Sequence, residues 1–439
     1  MILRSDRVKP KEIELQYAWN SVANNQMFSS DNGSQIEVLY PGQWNVESGP
    51  DFLNARLAID GKNITGDIEI HTYPGDWFAH GHTSDPKYKN VILHVVRYGY
   101  RSNSTQNKLP AIPLLIFSDE AIESLLSIKG SSTKYHPGLC SAKLNNRSID
   151  SLSEYFSCIG QRRLQNKMLS FLSEIISIGP EASLLKHIFE ACGYKNNRDE
   201  FLELYRRFSL YNSNLSSFEK EAVLWGESGF LSQTNLANPH EDLNKYVNNL
   251  WNEWWKLRKE HNSSEINWSR GNVRFNNSPW RRVAGLITFL KISSFNPLKA
   301  LLDVFEKQLD NDELIKLFTI SDDLLGSYLS FNSKLNRKSV LIGKARAIDI
   351  IGNIVLPFML AYGKLNNNNP IQQKVFKLWF SLPISQSNIN LKVSAQRWLI
   401  KEEDISKVFK TFSALQGAIY LYKNFCSFLG MDCSKCPKN

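Results

Sequence analysis

The sequence predicts an α+β protein, with a mixed α/β domain over residues 1–125 and a mostly α-helical domain over residues 126–439. Three observations carry that expectation. Short alternating apolar runs, punctuated by Asn32-Gly33, Asp60-Gly61 and Pro74-Gly75, fill the first part and suit strands joined by turns. From about Ser151 apolar residues recur at three- and four-residue intervals, the period of a helix face. At 439 residues the chain is long enough to bury more than one core.

In chain order, "KEIELQYAWN" after Pro10 reads as an opening helix. Strands are expected in "SQIEVLYPG", "FLNARLAID", "NITGDIEIHT", "KNVILHVVRYG" and "AIPLLIF". Asp60-Gly61 sits between two alternating runs, a strong hairpin signal. "YRSNSTQNK" reads as a hairpin excursion. The helical texture then runs through "SLSEYFSCIGQRRLQNKMLSFLSEIIS", "EASLLKHIFEACGY", "WRRVAGLITFLKIS" and "GAIYLYKNFCSFLG". "AIDIIGNIVLPFMLAYG" is interrupted by Asp349, Gly352, Asn353 and Pro357, so it reads as a buried helix with a break rather than a membrane span. "WNEWWKLRKE" reads as a core-facing tryptophan stripe.

The composition is that of an ordinary globular chain, 42% apolar and 22% charged. A formal charge of +9 suits an acidic partner such as nucleic acid. The opening residues lack the apolar core of a secretory signal, and six cysteines are too sparse for a disulfide framework, so a cytoplasmic protein with no membrane association is expected. No phosphate-binding P-loop, dinucleotide-binding glycine fingerprint or G-x-S-x-G elbow is present, which leaves ATPase, dehydrogenase and α/β-hydrolase readings without support.

The chemistry concentrates in "GDIEIHTYPGDWFAHGH", which holds three of the eight histidines. Alternation along a strand puts Gly66, Ile68 and Ile70 on one face and Asp67, Glu69 and His71 on the other. Asp51, after Gly49-Pro50, stands at the mouth of the preceding strand, and Asp76, His80, His82, Asp85 and Tyr88 follow closely. His94 lies within an apolar strand, where a buried imidazole requires a partner. Asp51 and Glu69 suit Mg²⁺ or Mn²⁺, with His71 as general base or water-orienting group. The histidines equally permit Zn²⁺, although His80-Gly81-His82 is a common spacing.

"GPD" followed by "EIH" on the next strand resembles the signature of the PD-(D/E)XK nuclease superfamily. That resemblance implies a restriction-endonuclease-like α-β-β-β-α-β core, a metal held by Asp51 and Glu69, and cleavage of nucleic-acid phosphodiesters. His71 stands where the family has lysine, which also raises a non-catalytic nucleic-acid-binding protein on a degenerate nuclease fold as an alternative. A histidine-rich metallohydrolase acting on a small substrate is the third reading. The resemblance further implies an acid on the opening helix, Glu12 or Glu14, and leaves Asp67, His80, His82 and His94 as supporting or substrate-contacting groups. The whole chain also resembles an uncharacterised bacterial family of the Bacteroidetes type. The matching stretches include "PGQWNVESGPDFLNARL", "DWFAHGHTSDPKYKNVILHVV", "GQRRLQNK" and "WGESGFL".

Two further features stand apart. Cys426, Cys433 and Cys436 have C-x6-C-x2-C spacing, which suits a structural zinc or iron–sulfur site with a fourth donor from Cys140, Cys158, Cys192 or a histidine. The spacing resembles the first three ligands of the iron–sulfur loop in helix-hairpin-helix DNA glycosylases; three free thiols are the plainer reading. Arg270, Arg274, Arg281 and Arg282, interleaved with Trp268, Phe275 and Trp280, are expected to contact nucleic acid, or else to cap helices and pack against tryptophan.

Overall fold

The computed structural model describes residues 12–20, 22, 25–45, 49–99, 112–127, 139–194, 196–211, 213–232, 239–259, 265–269, 277–307, 310–384, 395, 398–427 and 436. The chain divides into two compact units, one of Met1–Arg147 with Lys392–Glu402 and Leu421–Asn439, the other of Ser148–Leu391 with Glu403–Tyr420. The division therefore falls later than residue 125, and the cysteine-bearing tail groups with the first unit instead of closing the helical one. The segment read as a hairpin excursion lies outside the described residues.

The first unit is a mixed seven-stranded sheet with short helices. After α1 (Glu12–Asn20) come β1 (Gln26–Ser29), β2 (Gln35–Tyr40), β3 (Gln43–Trp44), β4 (Phe52–Ile59) and β5 (Lys62–His71). The helix α2 (Asp76–Ala79) and a 3₁₀ turn (Pro86–Tyr88) then lead to β6 (Val91–Val96), β7 (Leu114–Ile116), α3 (Asp119–Ser127) and α4 (Ser141–Asn145). The sheet order is β1-β2-β4-β5-β6-β7, with β3 pairing the start of β4. β2, β4 and β5 form an antiparallel meander, and β6 and β7 add in parallel. All five expected strands are present; β1 and β3 are additional.

Local chemistry explains the register. Asp60 (φ 49°) and Gly61 (φ 78°) both take the left-handed conformation of a two-residue hairpin, and Ile59 pairs Lys62 across it. Asn54 (φ 56°) forms a bulge in β4, and its N–H donates to Asp67 Oδ1 at 3.0 Å. Gly66 allows β5 to approach the next strand, because a Cβ there would lie 2.3 Å from Ile92 Cγ2. Ile68 and Ile70 are fully buried with Leu93, Val95, Trp19 and Phe52. Each such side chain is worth roughly 1.5–3 kcal/mol by removal from water. That burial fixes the register and turns Glu69 and His71 to the opposite face.

The second unit is helical. It begins with the 30-residue α5 (Ile149–Ile178), capped by Ser148, and continues through α6 (Pro180–Cys192), α7 (Arg198–Phe208), α8 (Ser217–Glu227) and α9 (Asn244–Leu257). The tryptophan stripe of α9 is only partly buried: Trp255 is 48% exposed, with Arg258 stacked on its ring. α10 (Pro279–Ile292) is buried along almost its whole length. The interrupted apolar stretch forms one helical rod, Lys344–Leu365, whose centre, Ile351–Val355, is a π-helical turn. It is long and apolar enough to cross a membrane, but its most apolar window is 67% buried inside the protein. α5 meets the helix Phe412–Leu421 at two glycines: a Cβ on Gly160 would stand 2.0 Å from the Ser413 carbonyl oxygen, and one on Gly417 would stand 1.8 Å from that of Phe156.

Candidate metal centre

The site is built on β5, the 72–90 crossover and β6. Parallel pairing sets Glu69 beside His94 and His71 beside Val96. The crossover then turns back: α2 ends at His80, and Gly81 (φ 76°) takes the left-handed step that lets His82 return. Asp76 Oδ2 accepts from the Tyr73 N–H at 2.9 Å, and Asp85 Oδ1 from the Lys87 N–H at 3.0 Å, so these two acids hold the loop. Trp77 and Tyr88 wall the site, with the Tyr88 ring stacked 3.7 Å from that of His82.

Three donor atoms surround that of His71. His71 Nε2 lies 3.2 Å from Glu69 Oε1, 3.3 Å from His82 Nε2 and 3.1 Å from His80 Nδ1. His82 Nε2 lies 3.2 Å from Glu69 Oε1, and the three imidazole donors all fall within 4.8 Å of one another. A metal bonded at about 2.0–2.1 Å to tetrahedrally arranged N and O donors separates them by roughly 3.3 Å. Glu69, His71 and His82 are buried, at 5%, 1% and 8% exposure. Lone pairs crowded this closely away from water require protons or a cation between them.

The electrostatics agree. Burial raises the Glu69 carboxyl, but hydrogen bonds from His71 and His82 prevail and hold it below its ordinary value. Burial, then His71, depresses His94 to about 3, so its ring is neutral. His94 Nε2 meets His71 Nδ1 across 2.8 Å, a contact that holds the His71 ring with Nε2 toward Glu69, His80 and His82. Burial, then His71 and His82, also depresses His80.

Asp51 is adjacent but differently used. Its backbone N–H donates to Glu69 Oε2 at 3.2 Å, while its own oxygens accept from Gln16 Nε2 at 2.8 Å and the Ile70 N–H at 3.0 Å. Burial, then the Glu69 and Glu12 charges, push its carboxyl well above the ordinary range. Glu12 is raised likewise, by burial and by Glu69 and Asp76. Asp51, Glu69 and His71, expected to meet, do lie side by side, and three histidines crowd the Glu69 end of that group. Asp51 is occupied with backbone and Gln16, and Asp67 holds the Asn54 bulge instead of facing a substrate. His71 stands at the centre of the cluster, against Glu69, His80, His82 and His94. The side chain of Glu14 lies outside the described residues.

The arginine cluster is also corrected. Arg270 and Arg274 lie outside the described residues. Arg281 is fully buried and donates to the carbonyls of Tyr328, Ser339 and Val340, tying α10 to the short hairpin of β8 (Tyr328–Ser330) and β9 (Ser333–Lys334). Arg282, 5% exposed, bonds Asn277 and stacks on Tyr194. Neither presents its charge to a polyanion. Cys433 lies outside the described residues, and Cys140, Cys426 and Cys436 belong to the first unit, Cys158 and Cys192 to the second.

The crossover histidines were quoted in the sequence, but their convergence rests on Gly81 and on the parallel pairing of β5 with β6, neither of which spacing reveals. Chemically the fold and site define a two-unit α+β chain whose sheet unit gathers three histidines, with Glu69 beside two of them. The chain belongs to the family described as "Protein of unknown function (DUF2851)", which matches residues 12–388. No curated protein and no solved structure matches it.

Proposed function

We propose that the chain is a metal-dependent hydrolase of nucleic-acid phosphodiesters, with a divalent transition metal held by Glu69, His71, His80 and His82. The convergence of their four donor atoms, His71 Nε2 lying 3.1–3.3 Å from the other three, carries this reading. Imidazole-rich donor sets favour Zn²⁺, with Mn²⁺ next, over Mg²⁺, which prefers oxygen. Such a metal acts as a Lewis acid and lowers the pKa of bound water. Asp51 and Glu12, part-buried carboxyls held above their ordinary range, are assigned to proton transfer beside it.

The phosphodiester part rests on the resemblance to PD-(D/E)XK nucleases. An opening helix, an antiparallel meander with Asp51 at the mouth of β4 and Glu69 on β5, then a crossover to parallel β6 support that reading, with β1 and β3 as strands beyond the α-β-β-β-α-β core. The exchange of lysine for His71 has a physical logic here, because the positive charge passes to the metal. A net charge of +9 suits a polyanionic substrate. The non-catalytic alternative loses the support of Arg281 and Arg282, both buried.

Cys426, Cys433 and Cys436 are assigned to a second, structural zinc or iron–sulfur site, with Cys140 of the same unit as fourth donor. A reducing cytoplasm, which keeps these thiols available, suits that assignment.

The test is cleavage of single- and double-stranded DNA and RNA with Zn²⁺, Mn²⁺ or Mg²⁺ added. Expected is cleavage with Zn²⁺ or Mn²⁺ that Glu69→Gln and His82→Ala abolish. A metal-loaded protein that cuts none of these substrates would overturn the phosphodiester reading, and cleavage unchanged in both variants would overturn the assigned centre.

A further inference from the structure

The helical unit contains a cavity of about 610 Å³ between α5, α6 and the Lys344–Leu365 rod, a size suited to a small organic ligand. We propose that it binds a small organic phosphate ester, the Arg346 guanidinium and the Lys167 ammonium taking the phosphate.

The acids of the wall already have cationic partners. His187 bridges two carboxylates, Nε2 at 2.6 Å from Glu174 and Nδ1 at 2.8 Å from Glu190. Lys186 also bonds Glu174, and Arg198 bonds Glu190. A cationic ligand would have to displace these contacts, so the acidic wall does not select one.

Arg346 is different. Its guanidinium lies 3.9 Å over the Tyr194 ring, which Arg282 also covers at 4.1 Å, so its plane is held in place. One terminal nitrogen donates to the Ala191 carbonyl. The other forms a long ion pair with Asp349 Oδ2 of the same wall, at 3.9 Å and beyond hydrogen-bond range, and Nε has no hydrogen-bond partner. A guanidinium carries five donors and matches an oxyanion in pairs. Here a rigid one lines a cavity with its hydrogen bonds incompletely filled.

The second cation comes from the "GQRRLQNKM" stretch that the histidine centre does not use. Lys167 donates to Asn353 Oδ1, and Asn353 Nδ2 donates to the Asp349 carbonyl at 2.9 Å. Asn353 sits on the π-helical turn Ile351–Val355, and π-turns are frequent at functional sites. Lys167 and Arg346 both line the cavity, and two cations suit a dianion, hence phosphate over carboxylate. Phe171, Ala191, Ile350 and Ile354 supply apolar wall for the organic part. A nucleoside monophosphate has the required size and chemistry.

The experiment is calorimetric titration of the full chain with adenosine 5′-monophosphate and, separately, inorganic phosphate. Expected is saturable binding of the nucleotide, at least about tenfold tighter than inorganic phosphate, weakened about tenfold or more by Arg346→Gln. Ser170 is an exposed residue of the cavity wall, so Ser170→Glu adds a repelling charge without disturbing the core and is expected to weaken binding similarly with an unchanged melting temperature. Absence of binding by either probe at millimolar concentration overturns the proposal, as does binding that survives both substitutions. Equal affinity for the two probes overturns its organic part.

Discussion

His94 Nε2 stands 2.8 Å from His71 Nδ1, so an imidazole within the apolar strand β6 fixes the aim of the ring at the middle of the donor cluster. Groups that orient a ligating histidine in this way typically matter about 10–100-fold in metal affinity. His94→Ala is therefore expected to weaken zinc binding by that order, with the four donors intact, in a chelator competition titration. Affinity equal to that of the unaltered protein would show that His94 only packs.

Glu69 supplies one oxygen to the cluster and the other to the Asp51 N–H. Glu69→Gln keeps the shape but removes the charge that two histidines share. Metal content after dialysis is expected to fall sharply, while the circular dichroism spectrum stays native. Full retention of metal would remove Glu69 from the donor set.

Arg281 satisfies three carbonyls from a fully buried position. Arg281→Met is expected to destabilise the protein by about 1–3 kcal/mol, the cost of leaving the buried Tyr328 carbonyl unpaired, since Ser339 and Val340 lie nearer water. Nucleic-acid affinity per folded molecule is expected to be unchanged. A weaker, less salt-dependent complex at full stability would reinstate Arg281 as a phosphate contact.

Gly160 admits the Ser413 carbonyl to within 2.0 Å of where a Cβ would lie. Gly160→Val must push the two helices apart, and overpacking of this kind costs about 1–3 kcal/mol or more. Denaturant unfolding measures the loss. A midpoint equal to that of the unaltered chain would contradict the close helix approach.

The Glu190 carboxyl is held at about 2, chiefly by the His187 hydrogen bond, which with Arg198 outweighs the upward push of burial. A depressed folded value means that Glu190 stabilises the protein fully above its unfolded value, near 4.5, and loses that contribution as pH falls toward about 2. The melting-temperature gap between the unaltered protein and Glu190→Gln is therefore expected to be widest near neutral pH and to shrink below pH 4.5. A gap that is constant with pH would show that the carboxylate charge contributes nothing.

Local signals were legible. Asp60-Gly61 gave its hairpin because two adjacent left-handed residues admit few other turns, and Ile68 and Ile70 turned Glu69 and His71 away from the core because strand alternation leaves no third choice. What stayed hidden depends on contacts remote in sequence. Asp67 alternates with Glu69 as a ligand would, yet a bulge in β4 claims it. Arg281 and Arg282 have the composition of a phosphate-binding patch, but a hairpin 47 residues on, at Tyr328, and Tyr194 in the turn after α6 bury them. The break expected at Gly352 and Asn353 became a π-turn, because an added residue can be absorbed without ending the helix.

The most direct measurement is X-ray absorption on a Cys433→Ser variant purified without affinity-tag histidines. Expected is about one zinc or manganese per chain in an imidazole-rich, sulfur-free shell at roughly 2.0–2.2 Å, lost in His82→Ala. A variant that stays metal-free after incubation with zinc and manganese, or that holds its metal unchanged in His82→Ala, would contradict the centre on which the functional reading rests.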